Sequence, residues 1–542
     1  MNTIVNLGRD FANSVADLFA RESGRAGTPA PRGQRRILVV GGGPVGLAFA
    51  TSLHALAGTQ VDLTVADARW IEERRVVRWR NALERVNRRE QVVTIQSLVF
   101  DRLPEPVRLA MFPEGGYAEV WPVSRESPVA RGFPRNVRIR DLEDRLLDLA
   151  RAQGLRLLAE RVDPAAVVLN DWDLVIIADG ANSRVRDYFT AKFGRADHTA
   201  YSLRESQVVD TVLGLRVKSQ MSEPSSVIMT VAQQRYLFNG IGGDGLLYMR
   251  LTDGETAEVR GRVPGEYEFR PCLQSNPCQV TWRTDHTRKG FYCAGRGSLF
   301  VPADDPSSFL WPRVLQGLKL FDIPKEALVA VTTFPLSMSR RGAFSTQLNP
   351  VGSDRPVFGA LIGDAAGVTH FWPGRGLNRG LSSAYALAMI LSRLDPTASL
   401  RAADLAGFEG VMAQLQSRHQ DRAWRAMVQM RRESVLPVKE IVAEAITRPR
   451  TSREILIRKM QVRTAELVSG LTDRLPAKAD LTELFAALDR VDDETLAVLV
   501  ETGGWETRDS GGPEIDVDAI LRVNTSETTT SCASAALGVA LA

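Results

Sequence analysis

Cysteine and histidine are scarce in this 542-residue chain, with four of the first and five of the second. Cys272, Cys278, Cys293 and Cys532 show no metal-ligand spacing and are too few to staple so long a chain, so they read as reduced thiols of a cytoplasmic protein. No metal cluster and no Ser/His/Asp arrangement is legible among so few histidines. No run approaches the ~20 consecutive apolar residues that span a bilayer. Charge of one sign is lacking too. A formal net charge of +4 is small for this length and gives no argument for nucleic acid. The arginines of IEERRVVRWRNALERVNRRE are interleaved with acids, which reads as a solvated helical face. The N-terminus has no basic region ahead of a continuous apolar run, so it is not a secretion signal. It reads as a short amphipathic helix docking on the body or on a partner, with a membrane-surface role as the lesser reading.

What is present is an ordinary globular composition, 44% apolar and 24% charged, over a length that suggests two or three domains. GRAGTPAPRGQ (24–34) reads as a linker, leaving 1–34 as an N-terminal helix and linker. RRILVVGGGPVGLAFATSLHALAG then gives strand, glycine turn and helix, and VDLTVADAR a second strand ending in an acid. NVRIRDLEDRLLDLARAQG is an amphipathic helix, and WDLVIIADGANSRVRDYF another buried strand, turn and helix start. From about 205 to 300 the pattern becomes alternating and β-rich, as in QVVDTVLGLRVK, SVIMTVAQQRYLFNG and DGLLYMRLTDG. The expected fold is α/β: a parallel-sheet nucleotide-binding unit in two parts (35–200 and 346–398), with an antiparallel β-rich substrate domain inserted between them (201–345). A helical C-terminal region (399–525) covers that unit or makes a homodimer interface, and a flexible tail (526–542) closes the chain.

Gly41, Gly43 and Gly46 form G-x-G-x-x-G between a strand and a helix, with Pro44 and Val45 opening the helix. The first glycine permits the tight turn, the second lets a pyrophosphate approach the backbone, and the third allows close helix–strand packing. The helix N-terminus supplies N–H groups and partial positive charge to phosphates. Asp67, followed by Ala68 and Arg69, sits where an acid accepts hydrogen bonds from a ribose 2′-OH. Taken singly, Asp67 also reads as a helix cap or a surface acid.

Two downstream motifs distinguish among dinucleotides. Asp179, Gly180, Ser183 and Arg186 follow the strand LVIIA. They match the second fingerprint of the flavoprotein monooxygenases of the para-hydroxybenzoate hydroxylase fold, which this chain resembles. A strand-end turn chosen for positive φ would explain Gly180 but not the rest. The third stretch is GDAAGVTHFWPGRGLNRG, from Gly363 to Gly380. Gly363 and Asp364 match the family's Gly-Asp start, whose acid binds the ribityl chain of FAD. Gly376, Leu377 and Asn378 match the end, where backbone N–H groups at a helix N-terminus face the pyrimidine edge of the isoalloxazine. A helix N-terminus also stabilises the negative charge of reduced flavin, independently of any family. Arg140, in NVRIRDL, corresponds to a flavin-contacting arginine, or is a surface arginine at a helix start. Arg89, in RREQVV, is a looser match to a second such arginine.

Gly367 stands where most relatives carry histidine; His370 comes three residues later, before Phe371, Trp372, Pro373 and Gly374. Phe-Trp-Pro and the glycine turn are similar to the flavin domain of the actin-oxidising MICAL monooxygenases, without implying actin as substrate. The resemblance implies FAD as cofactor, NADPH or NADH as co-substrate and molecular oxygen, with reaction through a C4a-hydroperoxyflavin. The expected reaction is hydroxylation or epoxidation of a hydrophobic, aromatic small molecule in secondary metabolism. The alternatives are an FAD-dependent cyclase or reductase of the same fold, or a protein using FAD structurally. A halogenase is disfavoured because no Trp-x-Trp-x-Ile element follows the first glycine motif. Trp372 and Phe371 would line the wall beside the flavin, or simply pack in the core. His370 is a proton relay or, more plainly, a hydrogen-bonded structural histidine. Tyr236, Phe238, Tyr248 and Met249 are substrate-lining candidates on strands where alternate residues face opposite ways.

Overall fold

The computed structural model describes residues 34–81, 84, 88–120, 133–260, 278–284, 289–293, 308–370, 374–431, 433–448, 451–471, 477–504 and 515–524. The expected N-terminal helix, the tail 526–542 and the candidates Phe371, Trp372 and Pro373 lie outside these residues.

RRILVV, the strand β1 (Arg35–Val40), is buried along nearly its whole length, as a strand covered on both faces must be. The helix α1 (Pro44–Ala57) begins with proline at its first turn, where a missing N–H costs nothing. It returns the chain to β2 (Val61–Ala66), parallel to β1 in full register. The strands β3 (Val92–Ile95) and β4 (Arg135–Arg138) pair off to one side, and α2 (Ile139–Ala152) leads to the short β5 (Arg156–Leu158). The strand β6 (Leu174–Ile177) then lies parallel to β1 on the side away from β2.

The second sheet opens with β7 (Asp210–Lys218), β8 (Tyr236–Ile241) and β9 (Asp244–Leu251). It continues through β10 (Cys278–Thr284) and β11 (Lys289–Cys293), and after the helix α3 (Leu310–Leu320) it takes β12 (Ala330–Leu336). The chain then re-enters the first sheet with β13 (Ser345–Gln347) and β14 (Phe358–Leu361). The first sheet thus has the order β13-β14-β6-β1-β2-β5, and the second, antiparallel throughout, β8-β9-β7-β12-β10-β11. This is the expected α/β fold with an inserted antiparallel sheet. Strand order reverses at β1, which is where such parallel sheets open a crevice beyond their carboxyl ends.

Two long helices complete the core. The helix α4 (Arg375–Leu391) is buried over most of its length; it packs against α1 on one side and against α5 (Ala402–Arg425) on the other. Further on, α6 (Arg453–Leu471) and α7 (Leu481–Asp489) contribute Leu456, Met460, Leu484 and Leu488 to the core behind the antiparallel sheet. Among the described residues no helix is long and apolar enough to cross a membrane.

Two local readings are corrected. Within the arginine-rich stretch, Trp70–Glu73 and Val76–Trp79 form an antiparallel hairpin rather than a helical face. Trp70 and Trp79 oppose each other edge to face at 5.8 Å, a cross-strand pair that favours the pleated form. The run SVIMTV is not a strand but part of a helix, Glu223–Val231, started by Pro224 in its first turn.

Candidate functional site

The first glycine turn lies at the crevice. Gly41 has φ +105°, and a Cβ there would sit 2.5 Å from the Ala178 carbonyl, so β1 and β6 end in backbone contact. A Cβ on Gly46 would lie 1.9 Å from the Gly41 carbonyl. Among the described residues no side chain caps α1, and no acid occupies its first turn, so its leading N–H groups are open to an anion. Over Gly43 stand two guanidinium groups: the place of its missing Cβ is 3.3 Å from Arg69 Nη2 and 3.4 Å from Arg89 Nη2.

Asp67 follows β2 and is buried; its Oδ2 accepts the Gly42 N–H at 2.8 Å and Arg69 Nη2 at 2.7 Å, and its Oδ1 accepts the Arg69 N–H at 2.8 Å. Half-buried Ala68 carries the bend between them. Glu143, which sequence reasoning missed, holds the arginines in place. Its side chain is 1% exposed and accepts Arg69 Nη1 at 3.2 Å and Arg89 Nη2. The available signal was an acid on the face of α2 that Leu146, Leu147 and Ala150 bury. The ring of Trp79 has Arg69 at 4.7 Å and Arg88 at 4.5 Å. Arg140 donates its N–H to the Arg89 carbonyl at 2.9 Å and pairs through Nη1 with Glu90 at 2.5 Å, so the two candidate arginines share one backbone corner.

The second and third motifs meet beside this turn. Ser183 caps a helical turn by accepting the Arg186 N–H at 3.0 Å, and Gly180 takes φ +94°. Asp179 is exposed at that turn. Arg186, only 7% exposed, reaches across to the Ala365 carbonyl with Nη1 at 3.3 Å. Val45 of the first motif fits against Gly363 and Gly380 of the third; a Cβ on Gly380 would lie 2.5 Å from Val45 Cγ2. The Asp364 carboxylate is 52% exposed. Gly376 faces it, with the place of its missing Cβ 3.9 Å from Asp364 Oδ1. Gly374, at φ +66°, is the N-cap of α4, whose first turn has neither acid nor side-chain cap. Gly374, Gly376 and Leu377 are half-buried, and Asn378 is buried. The Asn378 side chain is spent on the fold: Oδ1 accepts the Gln96 N–H at 2.8 Å, and Nδ2 donates to the carbonyls of Thr94 at 2.8 Å and Gly374 at 2.6 Å. It thereby ties β3 to the start of α4.

The remaining candidates divide by the pleat of the second sheet. Val212, Leu237, Leu246 and Tyr248 form an apolar cluster on one face. That face carries Asp210 and Arg250 as well, and it looks toward the parallel-sheet half. There Asn136 Nδ2 donates to the Gly240 carbonyl at 3.3 Å, and Arg138 pairs with Asp244 at 2.7 Å. Tyr236, Phe238 and Met249 are on the opposite face, in the core shared with α3, α6 and α7. The Tyr236 hydroxyl donates to the Arg313 carbonyl at 3.0 Å, and burial pushes its pKa up to about 12. Burial raises the Tyr248 phenol as well.

His370 is fully buried, with Nε2 3.1 Å from Asp210 Oδ2, and Arg250 Nε is 3.1 Å from the same oxygen. Burial works against the Asp210 carboxylate, but Arg250 and the His370 hydrogen bond outweigh it and hold its pKa below the usual range. Burial lowers the pKa of His370, so Asp210 and Arg250 form the charged pair and His370 is neutral beside them. His419, on α5, is also fully buried, and neither ring nitrogen has a hydrogen-bond partner among the described residues. Burial, reinforced by Arg375, Arg379 and Arg422, lowers its pKa well below the usual value. No group of three or more His, Cys, Asp or Glu that could hold a metal ion is present among the described residues.

No protein-family model and no curated protein sequence matches the chain. Solved structures similar to it include tetrameric 2-methyl-3-hydroxypyridine-5-carboxylic acid oxygenase, at 18% identity and TM-score 0.40, with 72% of this chain and 91% of that one covered. Another is the Diels-Alderase PyrE3 of pyrroindomycin biosynthesis, at 16% identity and TM-score 0.42, covering 89% and 81%. A third is the flavin-dependent halogenase CmlS, at 15% identity and TM-score 0.43, covering 81% and 78%. At such identities and TM-scores the chemistry rests on the geometry of this chain.

Proposed function

We propose that this chain is an FAD-dependent monooxygenase that consumes NADPH or NADH and oxygenates a hydrophobic, aromatic small molecule. The observation that carries the reading is convergence. Three motifs spread from Gly41 to Gly380 meet at the crevice of the parallel sheet, through Gly41 on Ala178 and Asp179, Val45 on Gly363 and Gly380, and Arg186 on Ala365. The residues fit the cofactor. The place of the missing Gly43 Cβ is a cradle beneath two guanidinium groups and beside an uncapped helix N-terminus, as a pyrophosphate requires.

In this reading Gly43, the N–H groups at the start of α1, Arg69 and Arg89 hold the pyrophosphate. Asp67 takes the adenosine ribose, Asp364 the ribityl hydroxyls, and the backbone of Gly376 to Asn378 the pyrimidine edge. When bound, FAD supplies hydride acceptance from the nicotinamide and activation of O2 for transfer of one oxygen atom. The chain's own work is positioning and exclusion of water. The apolar face of Val212, Leu237, Leu246 and Tyr248 supplies a dry wall toward the flavin half and suits an apolar substrate better than a charged one.

Purified protein is expected to carry FAD, with its visible absorption bands, and to be reduced anaerobically by NADPH or NADH. In air, without the right substrate, it should oxidise the nicotinamide and release H2O2. A chain whose flavin neither nicotinamide reduces is not this enzyme.

A further inference from the structure

We propose that Arg379 is the positioning residue for Asp364, and that Gln416 and Gln420 of α5 brace the same turn, which makes the C-terminal region part of the cofactor site. This inference rests on the FAD reading above. A fully enclosed guanidinium is expensive unless its N–H groups find partners. Both terminal nitrogens of Arg379 find them, in the turn and in Gln416 of α5, while Nε has none among the described residues. Its Nη1 donates to Thr369 Oγ1 at 2.8 Å and to Gln416 Oε1 at 2.8 Å. Its Nη2 donates to the carbonyl of Gly363 at 3.1 Å and to that of Gly367, and lies 3.4 Å from Asp364 Oδ1. One planar fork therefore clasps the residue before Asp364, the end of the turn after it, and the carboxylate. Arg379 is 1% exposed while Asp364 is 52% exposed, so the arginine holds the acid from behind and leaves its outer side to a ligand.

The brace comes from two glutamines one helical turn apart. Gln416 fills the space at Gly367, where a Cβ would be 2.2 Å from Gln416 Nε2 and would have to push that amide aside. Gln420 Nε2 donates to the carbonyls of Ser339 at 2.6 Å and Val368 at 3.1 Å, while its Oε1 accepts the Tyr201 hydroxyl at 3.0 Å. None of these three side chains is exposed, and all are engaged from the buried side of the turn. Their effect on a ligand is indirect, through where Asp364 stands.

The test is a double-mutant cycle on FAD affinity, measured by flavin fluorescence on apoprotein reconstituted with FAD. Arg379→Lys keeps a charge but loses the fork; with the fold retained by circular dichroism, it should weaken FAD about tenfold to a hundredfold. It should also shift the visible circular dichroism of the bound flavin. Gln416→Leu should weaken FAD by a smaller factor in the same direction. In the Asp364→Ala background, Arg379→Lys should cost at most a few-fold, because the residue it positions is gone. Full additivity of Arg379→Lys and Asp364→Ala overturns the role of Arg379, as does an Arg379→Lys protein with wild-type affinity. If Asp364→Ala itself leaves FAD affinity unchanged, the cofactor reading fails together with this inference.

Discussion

A single methyl group separates tolerance from failure at Gly46. Its Cβ would fall 1.9 Å from the Gly41 carbonyl, a backbone atom locked by the Ala178 contact, so nothing nearby can swing aside. Gly46→Ala is expected to cost about 1–3 kcal/mol, read as a lower melting temperature, and to lose FAD. The two buried histidines set a second expectation. His370 and His419 have folded pKa values below that of the unfolded chain, about 6.5. Between those values the unfolded state binds more protons than the folded one, so stability rises with pH across that window and is lost as pH falls through it. Melting temperature should therefore drop as pH is lowered from about 6.5 toward 5, above the range where ordinary carboxylates titrate. His419→Leu should flatten much of that slope; an unchanged slope would count against an unpaired buried His419. The glycine roles were readable from spacing and an adjoining strand. The state of the histidines was not, since burial and the arginines around them come from distant segments.

At the scale of elements, the start of α4 makes the sharpest claim. Gly376 has ordinary helical φ, and among the described residues its Cβ would meet only Asp364 Oδ1, at 3.9 Å. Gly376→Ala should leave the fold intact and stabilise the apoprotein by up to ~1 kcal/mol through helix propensity. The same methyl intrudes on the surface assigned to the flavin, so FAD affinity should fall while the apoprotein melting temperature holds or rises. A parallel loss of both would mean that the glycine serves the fold alone. Helical periodicity announced α5 but said nothing of which glutamines it turns toward the Gly363 turn, because i,i+4 spacing defines a face without naming its neighbour. SVIMTV misled for a related reason: β-branched residues favour strands only weakly, and the proline one turn earlier started a helix.

Across the whole molecule, the buried Asp210 is the joint between the two halves. It belongs to β7 of the antiparallel sheet and meets His370 of the third motif and Arg250 of β9; Arg250 Nη2 also donates to the Ala426 carbonyl at 2.7 Å, just past α5. Asp210→Asn leaves a fully buried guanidinium without its counter-charge, which should cost about 3–5 kcal/mol in denaturant unfolding. FAD retention should fall with it, since His370 follows Asp364, the residue assigned to the ribityl chain, by six residues. The arginines assigned to the pyrophosphate give a milder whole-molecule effect. Arg69 and Arg89 are 36% and 42% exposed, so FAD affinity should decline as salt screens them. Insensitivity to ionic strength would remove them from the phosphate site.

The order of strand, glycine turn and helix, the Gly-Asp turn and the long amphipathic helices were determined by local spacing, where backbone conformation and hydrophobic periodicity are set by near neighbours. The fold class followed from them. What only the tertiary structure decided is which of two faces each strand residue takes: Tyr248 toward the parallel-sheet half, Tyr236 and Phe238 away from it. A pleat alternates whichever way the sheet is packed, so the sequence pattern alone leaves that parity open. The same holds for Glu143 beneath its arginines and Arg379 behind Asp364. An enclosed charge looks like any other charge in a sequence until distant chain closes over it.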